Sequence, residues 1–116
     1  MKKYIVIGNP IDHSLSPKLH NFWYRQNNIN ADYEKKKMNI EEIKGLILAL
    51  KEKKIHGINV TVPFKKDIIP FLDQLSLEAK STQSVNTIYL KDEKAIGHNT
   101  DIDGFELAIK NLKINL

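Results

Sequence analysis

Four short stretches hold most of the residues able to do chemistry, and each lies at the end of a predicted strand. The first is Asn9-Pro10-Ile11-Asp12-His13-Ser14-Leu15-Ser16-Pro17. Ser14 and Ser16 set two hydroxyls beside a predicted helix N-terminus, whose free N–H groups and positive dipole end suit a carboxylate or phosphate. Taken alone, Ser16 reads more simply as an N-cap and Ser14 as a loop residue. The second stretch is Asn59-Val60-Thr61-Val62-Pro63-Phe64-Lys65. Period-2 alternation sends Asn59 and Thr61 to one side, where two polar side chains among apolar neighbours need partners. Lys65 falls near the start of the next short helix, where the dipole disfavours an ammonium and a carboxylate has to compensate. Lys66 beside it is an ordinary solvated lysine and a natural control.

The third stretch, Val85-Asn86-Thr87, points the primary amide of Asn86 toward one face of an apolar run. The fourth is Gly97-His98-Asn99-Thr100-Asp101-Ile102-Asp103-Gly104. Thr100 or Asp101 can cap the last helix, with Asp103 completing a capping box. Asp101 is also the obvious carboxylate partner for Lys65. Hydroxyls, amides, a lysine and an aspartate from four strand ends together suit a small polyhydroxylated acid. The histidines His13, His20, His56 and His98 lack the spacing of metal ligands. His20 reads as a packing residue, His98 as an exposed one, and Phe22 and Trp23 as core.

These stretches must be carried by regular elements. Tyr4-Ile5-Val6-Ile7-Gly8 is a buried strand closed by a turn. A helix runs from Ser16-Pro17 to about Asn27, with Leu19, Phe22, Trp23 and Gln26 on one side and most of that face turned to the core. The segment 32–38 alternates weakly, as an exposed or edge strand does. Asn39-Ile40-Glu41-Glu42 is a capping-box variant, and Ile43, Leu46, Ile47 and Leu50 follow at helical spacing. Ile58 to Val62 is the next strand, and short helices are expected near 66–72 and 77–82. Val85 to Leu90 and Lys94 to Gly97 pair as a hairpin about Asp92-Glu93, and a last helix covers about 103–112. Strand and helix alternate almost throughout. The expected architecture is α/β, a three-layer αβα sandwich on a mixed, mostly parallel sheet with at least one antiparallel pair.

The chain has 116 residues and no cysteine, so residues 1–116 are read as one domain in a reducing, cytoplasmic setting. No apolar run approaches the roughly 20 residues that span a bilayer. The net charge of +4 is carried almost wholly by lysine, with Arg25 the only arginine among 18 basic residues. Base readers and phosphate forks depend on arginine, so Lys35-Lys36-Lys37 and the segment 51–54 read as solvated surface rather than a nucleic-acid site.

The four stretches, in this order and spread along the whole chain, resemble the N-terminal substrate-binding domain of the shikimate dehydrogenase family. The resemblance rests on Gly8-Asn9-Pro10 with His13-Ser14-Leu15-Ser16-Pro17, on Asn59 through Lys65, on Val85-Asn86-Thr87, and on Gly97 through Asp101 with Gly104-Phe105. It implies that Ser14 and Ser16 hold the substrate carboxylate, that Asn59, Thr61, Asn86 and Asp101 contact substrate, and that Lys65 is catalytic with Asp101 beside it. It implies NADP-dependent reduction of 3-dehydroshikimate to shikimate, a step of chorismate and aromatic amino acid biosynthesis. Ser16 rather than threonine favours shikimate over quinate. A broader quinate/shikimate dehydrogenase and a stand-alone hydroxy-acid-binding module are the alternatives. Members of the family continue into a nicotinamide-binding Rossmann domain. Here glycines stand only at positions 8, 45, 57, 97 and 104, so no Gly-x-Gly-x-x-Gly is present. The chain is therefore expected to be one domain of a longer enzyme and inactive alone, with NADP bound by the missing domain. Its bared interdomain face is expected to draw it into a homodimer.

Overall fold

Tyr4-Ile5-Val6-Ile7 sends apolar side chains alternately to both sides, which is the pattern of a strand covered on both faces. In the computed structural model, which describes residues 1–101, this strand is β1 (Lys2–Gly8), the second of six. The helix expected over 103–112 lies outside the described residues. The elements then run α1 (Ser16–Gln26), β2 (Ala31–Lys37), α2 (Ile43–Lys51), β3 (Gly57–Val60), α3 (Phe64–Asp67), β4 (Gln74–Leu75), α4 (Leu77–Thr82), β5 (Thr87–Lys91) and β6 (Lys94–His98). Short 3-10 turns precede α2 and follow α3.

The sheet order is β2-β1-β3-β5-β6-β4. β1 pairs in parallel with β2 and β3, and β4 pairs in parallel with β6. β5 runs antiparallel to both β3 and β6. The β5–β6 turn places Asp92 and Glu93 at φ of 52° and 64°, the paired left-handed geometry of a tight hairpin. Since β6 runs in the direction of β3, the carboxyl ends of β1, β3 and β6 and the amino end of β5 share one edge of the sheet.

One face packs Ile5, Ile7, Ile58, Val60 and Ile88 against Ile43, Leu46, Ile47 and Leu50 of α2 and against Phe64, Ile68 and Ala79. On the opposite face a smaller cluster joins Val6, Ile11 and Tyr33 to Tyr4 and Tyr24 of α1. Helices thus cover both faces, and the expected three-layer mixed sheet is the observed one. The capping box is complete, with Asn39 N–H donating to Glu42 Oε1 at 3.0 Å. Asp73 ties α2 to the far strands by accepting from Lys51 Nζ and from Ala95 N–H, each at 2.8 Å. The Lys51 hydrogen bond, followed by that from Ala95, holds the Asp73 carboxyl below its ordinary range.

Helix α1 departs from the sequence reading in two ways. It begins at Ser16 with Leu15 before it and no side-chain cap, so Ser16 is a first-turn residue rather than the N-cap. It also turns the other face inward. Leu19, Phe22 and Trp23 are 50%, 50% and 52% exposed, whereas Pro17, His20, Asn21 and Tyr24 approach the sheet. The reason is the edge strand. Asn21 donates through Nδ2 to the carbonyl of Tyr33 and accepts from its N–H, both at 3.0 Å, filling the outward hydrogen-bonding slots of β2. These two bonds pair the edge of β2 and fix the Asn21 side of α1 toward the sheet.

Candidate active site at the carboxyl edge of the sheet

Gly8 ends β1 where β3 gives way to Thr61, and the two backbones close on each other there. Thr61 N–H donates to Ile7 O and Asn9 N–H to Val62 O, both at 3.0 Å. A Cβ on Gly8 would stand 2.5 Å from Thr61 Cγ2, so only glycine lets Thr61 lie this near β1. Thr61 then lines a cleft of about 280 Å³ together with Ser14, Ser16, His13, Pro10, Ile11 and Val6. Ser14 Oγ accepts from the N–H of Ser16 at 3.3 Å, which folds the loop so that both serines serve one cleft. The first two stretches therefore meet, as their position after adjacent strands requires.

Asn59 lies on the α1 side of β3, away from its core-facing neighbours Ile58 and Val60. Its Oδ1 accepts from the Tyr33 hydroxyl at 2.7 Å, and its Nδ2 reaches Asn86 O and Thr87 Oγ1 at 3.4 Å each. Tyr33 was missed by sequence reasoning, because a lone tyrosine in a lysine-rich strand looks like an ordinary edge residue. Its ring is buried and stacks on His20 at a centroid distance of 4.2 Å. Burial pushes the Tyr33 hydroxyl up to about 12, with Tyr24 acting the same way and a Ser16 hydrogen bond acting against it.

Asn86 is held by two strands at once. Its carbonyl accepts from Val60 N–H at 2.8 Å, and its N–H donates to His98 O at 3.1 Å. Its amide serves the fourth stretch. Nδ2 donates to Thr100 Oγ1 at 3.0 Å and Asp101 Oδ1 at 3.2 Å, while Oδ1 accepts from Thr100 N–H at 3.2 Å. Asn99 was also passed over, yet among the described residues it is the buried polar side chain. Its Nδ2 donates to Ser84 O at 3.1 Å and its Oδ1 accepts from Asp101 N–H at 2.8 Å, which anchors the Asp101 loop to the end of α4.

Asp101 meets Lys65, with Nζ 3.6 Å from Oδ2, although α3 is a single four-residue turn and supplies no helix dipole to call for the pairing. That separation exceeds the roughly 2.7–2.9 Å of a tight charge-assisted hydrogen bond, so the ammonium is paired but not consumed. The Lys65 carbonyl accepts from Val85 N–H at 2.8 Å, which fixes the start of α3 against the loop before Asn86. The structure thus makes one hydrogen-bonded set of Asn59, Asn86 and Asp101, with Lys65 joined to it by an ion pair, and one cleft of Ser14, Ser16 and Thr61. Tyr33 touches both. His98 differs from expectation: it is half-buried, with Nδ1 2.7 Å from Ser76 Oγ and 3.7 Å from Glu78. His20 packs as expected, whereas Phe22 and Trp23 do not.

Fold and site together define an α/β domain with its polar side chains gathered at the carboxyl ends of its strands, the place where open α/β sheets take ligands. Residues 6–88 match the family model described as the shikimate dehydrogenase substrate binding domain, and the chain belongs to that family. A shikimate dehydrogenase (NADP(+)) of Pelagibacter ubique is 58% identical over 115 residues, covering 99% of this chain and 43% of that protein. Shikimate 5-dehydrogenase of Listeria monocytogenes, solved in complex with shikimate and NAD, superposes with a TM-score of 0.87 at 31% identity, over 97% of this chain and 39% of that one. The enzyme of Thermus thermophilus, solved with NADP(H) and shikimate, gives a TM-score of 0.84 at 32% identity, over 96% and 42%. The chain spans about two-fifths of the length of these relatives. Among the described residues no helix is long and apolar enough to cross a membrane.

Proposed function

We propose that residues 1–116 form the substrate-binding domain of an NADP-dependent shikimate dehydrogenase that reduces 3-dehydroshikimate to shikimate in the cytoplasm. The observation that carries this reading is the Lys65–Asp101 pair, standing at the same sheet edge as the serine-lined cleft. Ser14 and Ser16 bind the substrate carboxylate, while Asn59, Thr61 and Asn86 read the ring hydroxyls. Lys65 donates the proton to the oxygen of the carbonyl being reduced, and its positive charge stabilises the negative charge growing there. Asp101 keeps the ammonium aimed at that oxygen, and Asn86 and Asn99 keep Asp101 aimed at Lys65.

A dinucleotide does not fit the described residues. The first strand–turn–helix carries a single glycine, and the space a Cβ would take on Gly8 is filled by Thr61, not open to a pyrophosphate. The part of the reaction proposed for this chain is therefore acid binding and proton transfer, with NADP held elsewhere in the enzyme. The homodimer expected from the sequence would use the interdomain face, and the exposed strip of α1 around Leu19, Phe22 and Trp23 is a second apolar surface open to self-association.

The test replaces Lys65 by Met in the complete enzyme. If Lys65 handles the proton, kcat falls by roughly 10²–10⁴, the contribution of a positioned acid or base. Asp101→Asn loses rate as well, and Lys66→Met changes little. A rise in KM with kcat intact would reduce Lys65 to a binding residue. Equal losses from both lysine substitutions would mean that only a general positive field is at work.

A further inference from the structure

Tyr33 stands between the two halves of the site and is held there from several directions. Its ring stacks on His20 with planes 11° apart, and its backbone is clamped on both polar groups by Asn21. His20 is fixed in turn, its Nδ1 lying 2.9 Å from the carbonyl of Ser16. A side chain locked this completely presents its hydroxyl at one point. That point is Asn59 Oδ1, 2.7 Å away.

The consequence concerns which way the Asn59 amide faces. A primary amide has an accepting and a donating end, and a flip exchanges them. A hydroxyl hydrogen bonded to Oδ1 fixes the accepting end toward β2 and the donating Nδ2 toward the strand-end groups Asn86 O and Thr87 Oγ1. Those two contacts, at 3.4 Å each, are long, so Nδ2 retains capacity to donate to an incoming oxygen. Burial moves ionisation of the Tyr33 hydroxyl still further above the neutral range, so its proton remains available to Asn59 Oδ1.

We propose that Tyr33 is a positioning residue for substrate: by donating to Asn59 Oδ1 it holds the Asn59 amide with Nδ2 toward the ligand and sets its distance from the serine cleft. This rests on the reading of the cleft as a site for a polyhydroxylated acid. Tyr33 acts through Asn59 and has no place in proton transfer.

The experiment is a double-mutant cycle on the 116-residue chain, read by NMR titration with shikimate. Tyr33→Phe keeps the ring, its stack on His20 and both Asn21 bonds, and an unchanged backbone amide spectrum checks that the fold is kept. In the ligand-free chain the side-chain amide resonances of Asn59 shift on Tyr33→Phe, as loss of the bond to Oδ1 requires, and the binding cycle separates a positioning role from a merely structural one. Shikimate then binds roughly tenfold more weakly, the scale of one well-made hydrogen bond. In an Asn59→Ala background the same substitution changes binding less than twofold. Loss of affinity that is equal in both backgrounds, or Asn59 amide resonances that stay in place, overturns the proposal. If the Asn59 amide responds but neither chain takes up shikimate, the reading of the cleft fails while the Tyr33–Asn59 coupling stands.

Discussion

Two glycine-to-alanine substitutions of the same chemistry should move this protein in opposite directions. At Gly8 the new Cβ stands 2.5 Å from Thr61 Cγ2, 3.0 Å from Val62 O and 3.2 Å from Ile11 Cδ1. Two of these neighbours can rotate, but Val62 O is backbone and accepts from Asn9 N–H at 3.0 Å. The methyl group must therefore part β1 from the end of β3, and overpacking of this kind costs about 1–3 kcal/mol. At Gly45, exposed inside α2, nothing lies within 4 Å of the added Cβ. Alanine there gains about 0.8–1.0 kcal/mol of helix propensity. Urea unfolding of the chain separates the two, since an m-value of roughly 1–2 kcal/mol/M turns these changes into midpoint shifts of about 1 M, down for Gly8→Ala and up for Gly45→Ala. Gly8→Ala has a second signature, because moving Thr61 also distorts the serine cleft and weakens shikimate binding. A Gly8→Ala chain as stable as the parent and equally able to bind shikimate would refute the close approach of the two strand ends and the placing of Thr61 in the site.

Tyr33 makes alkaline stability directional. Its proton is held up to about 12 in the folded chain against an ordinary value of 10.0, so between those pH values the native state binds more protons than the unfolded one. The stabilisation is complete below about pH 10 and is lost as pH rises toward 12, and Tyr33→Phe should flatten that part of the urea-unfolding profile; parallel profiles would contradict it. The strip of Leu19, Phe22 and Trp23 should drive self-association, seen by sedimentation as dimer at high concentration and reduced by Phe22→Ser with Trp23→Ser. A strictly monomeric parent chain would dispose of that role for α1.

Strand positions were legible because their signals are local. Tyr4 to Ile7 is an apolar run bounded by a turn and Ile58 to Val62 alternates apolar with polar, and β1 and β3 fall there, β3 ending early at Val60. Helix α2 was legible from its 3.6-residue repeat and capping box. The inward face of α1 was not, since periodicity names the most apolar face while the structure selects the face that satisfies an edge strand 12 residues away. The two-residue strand β4 is too short to carry a pattern and exists through its pairing with β6. In the site, the residues found from sequence stand in short strand-end stretches rich in polar groups. Tyr33 and Asn99 escaped because their part depends on what they touch across the fold: Asn59 lies 26 positions from Tyr33, and Ser84 lies 15 from Asn99. No sequence window of ordinary length brings such pairs together.

The most direct measurement is the crystal structure of this chain soaked with shikimate. The expected result is a ring in the cleft with its carboxylate on the hydroxyls of Ser14 and Ser16, and with the hydroxyl that corresponds to the reducible carbonyl within hydrogen-bond reach of Lys65 Nζ and Asp101. Asn59 Nδ2 should donate to a neighbouring ring hydroxyl, with the Tyr33 hydroxyl still on Oδ1. A shikimate bound with its carboxylate on Lys65, or bound away from the edge formed by the ends of β1, β3 and β6, would contradict the assignment of the site.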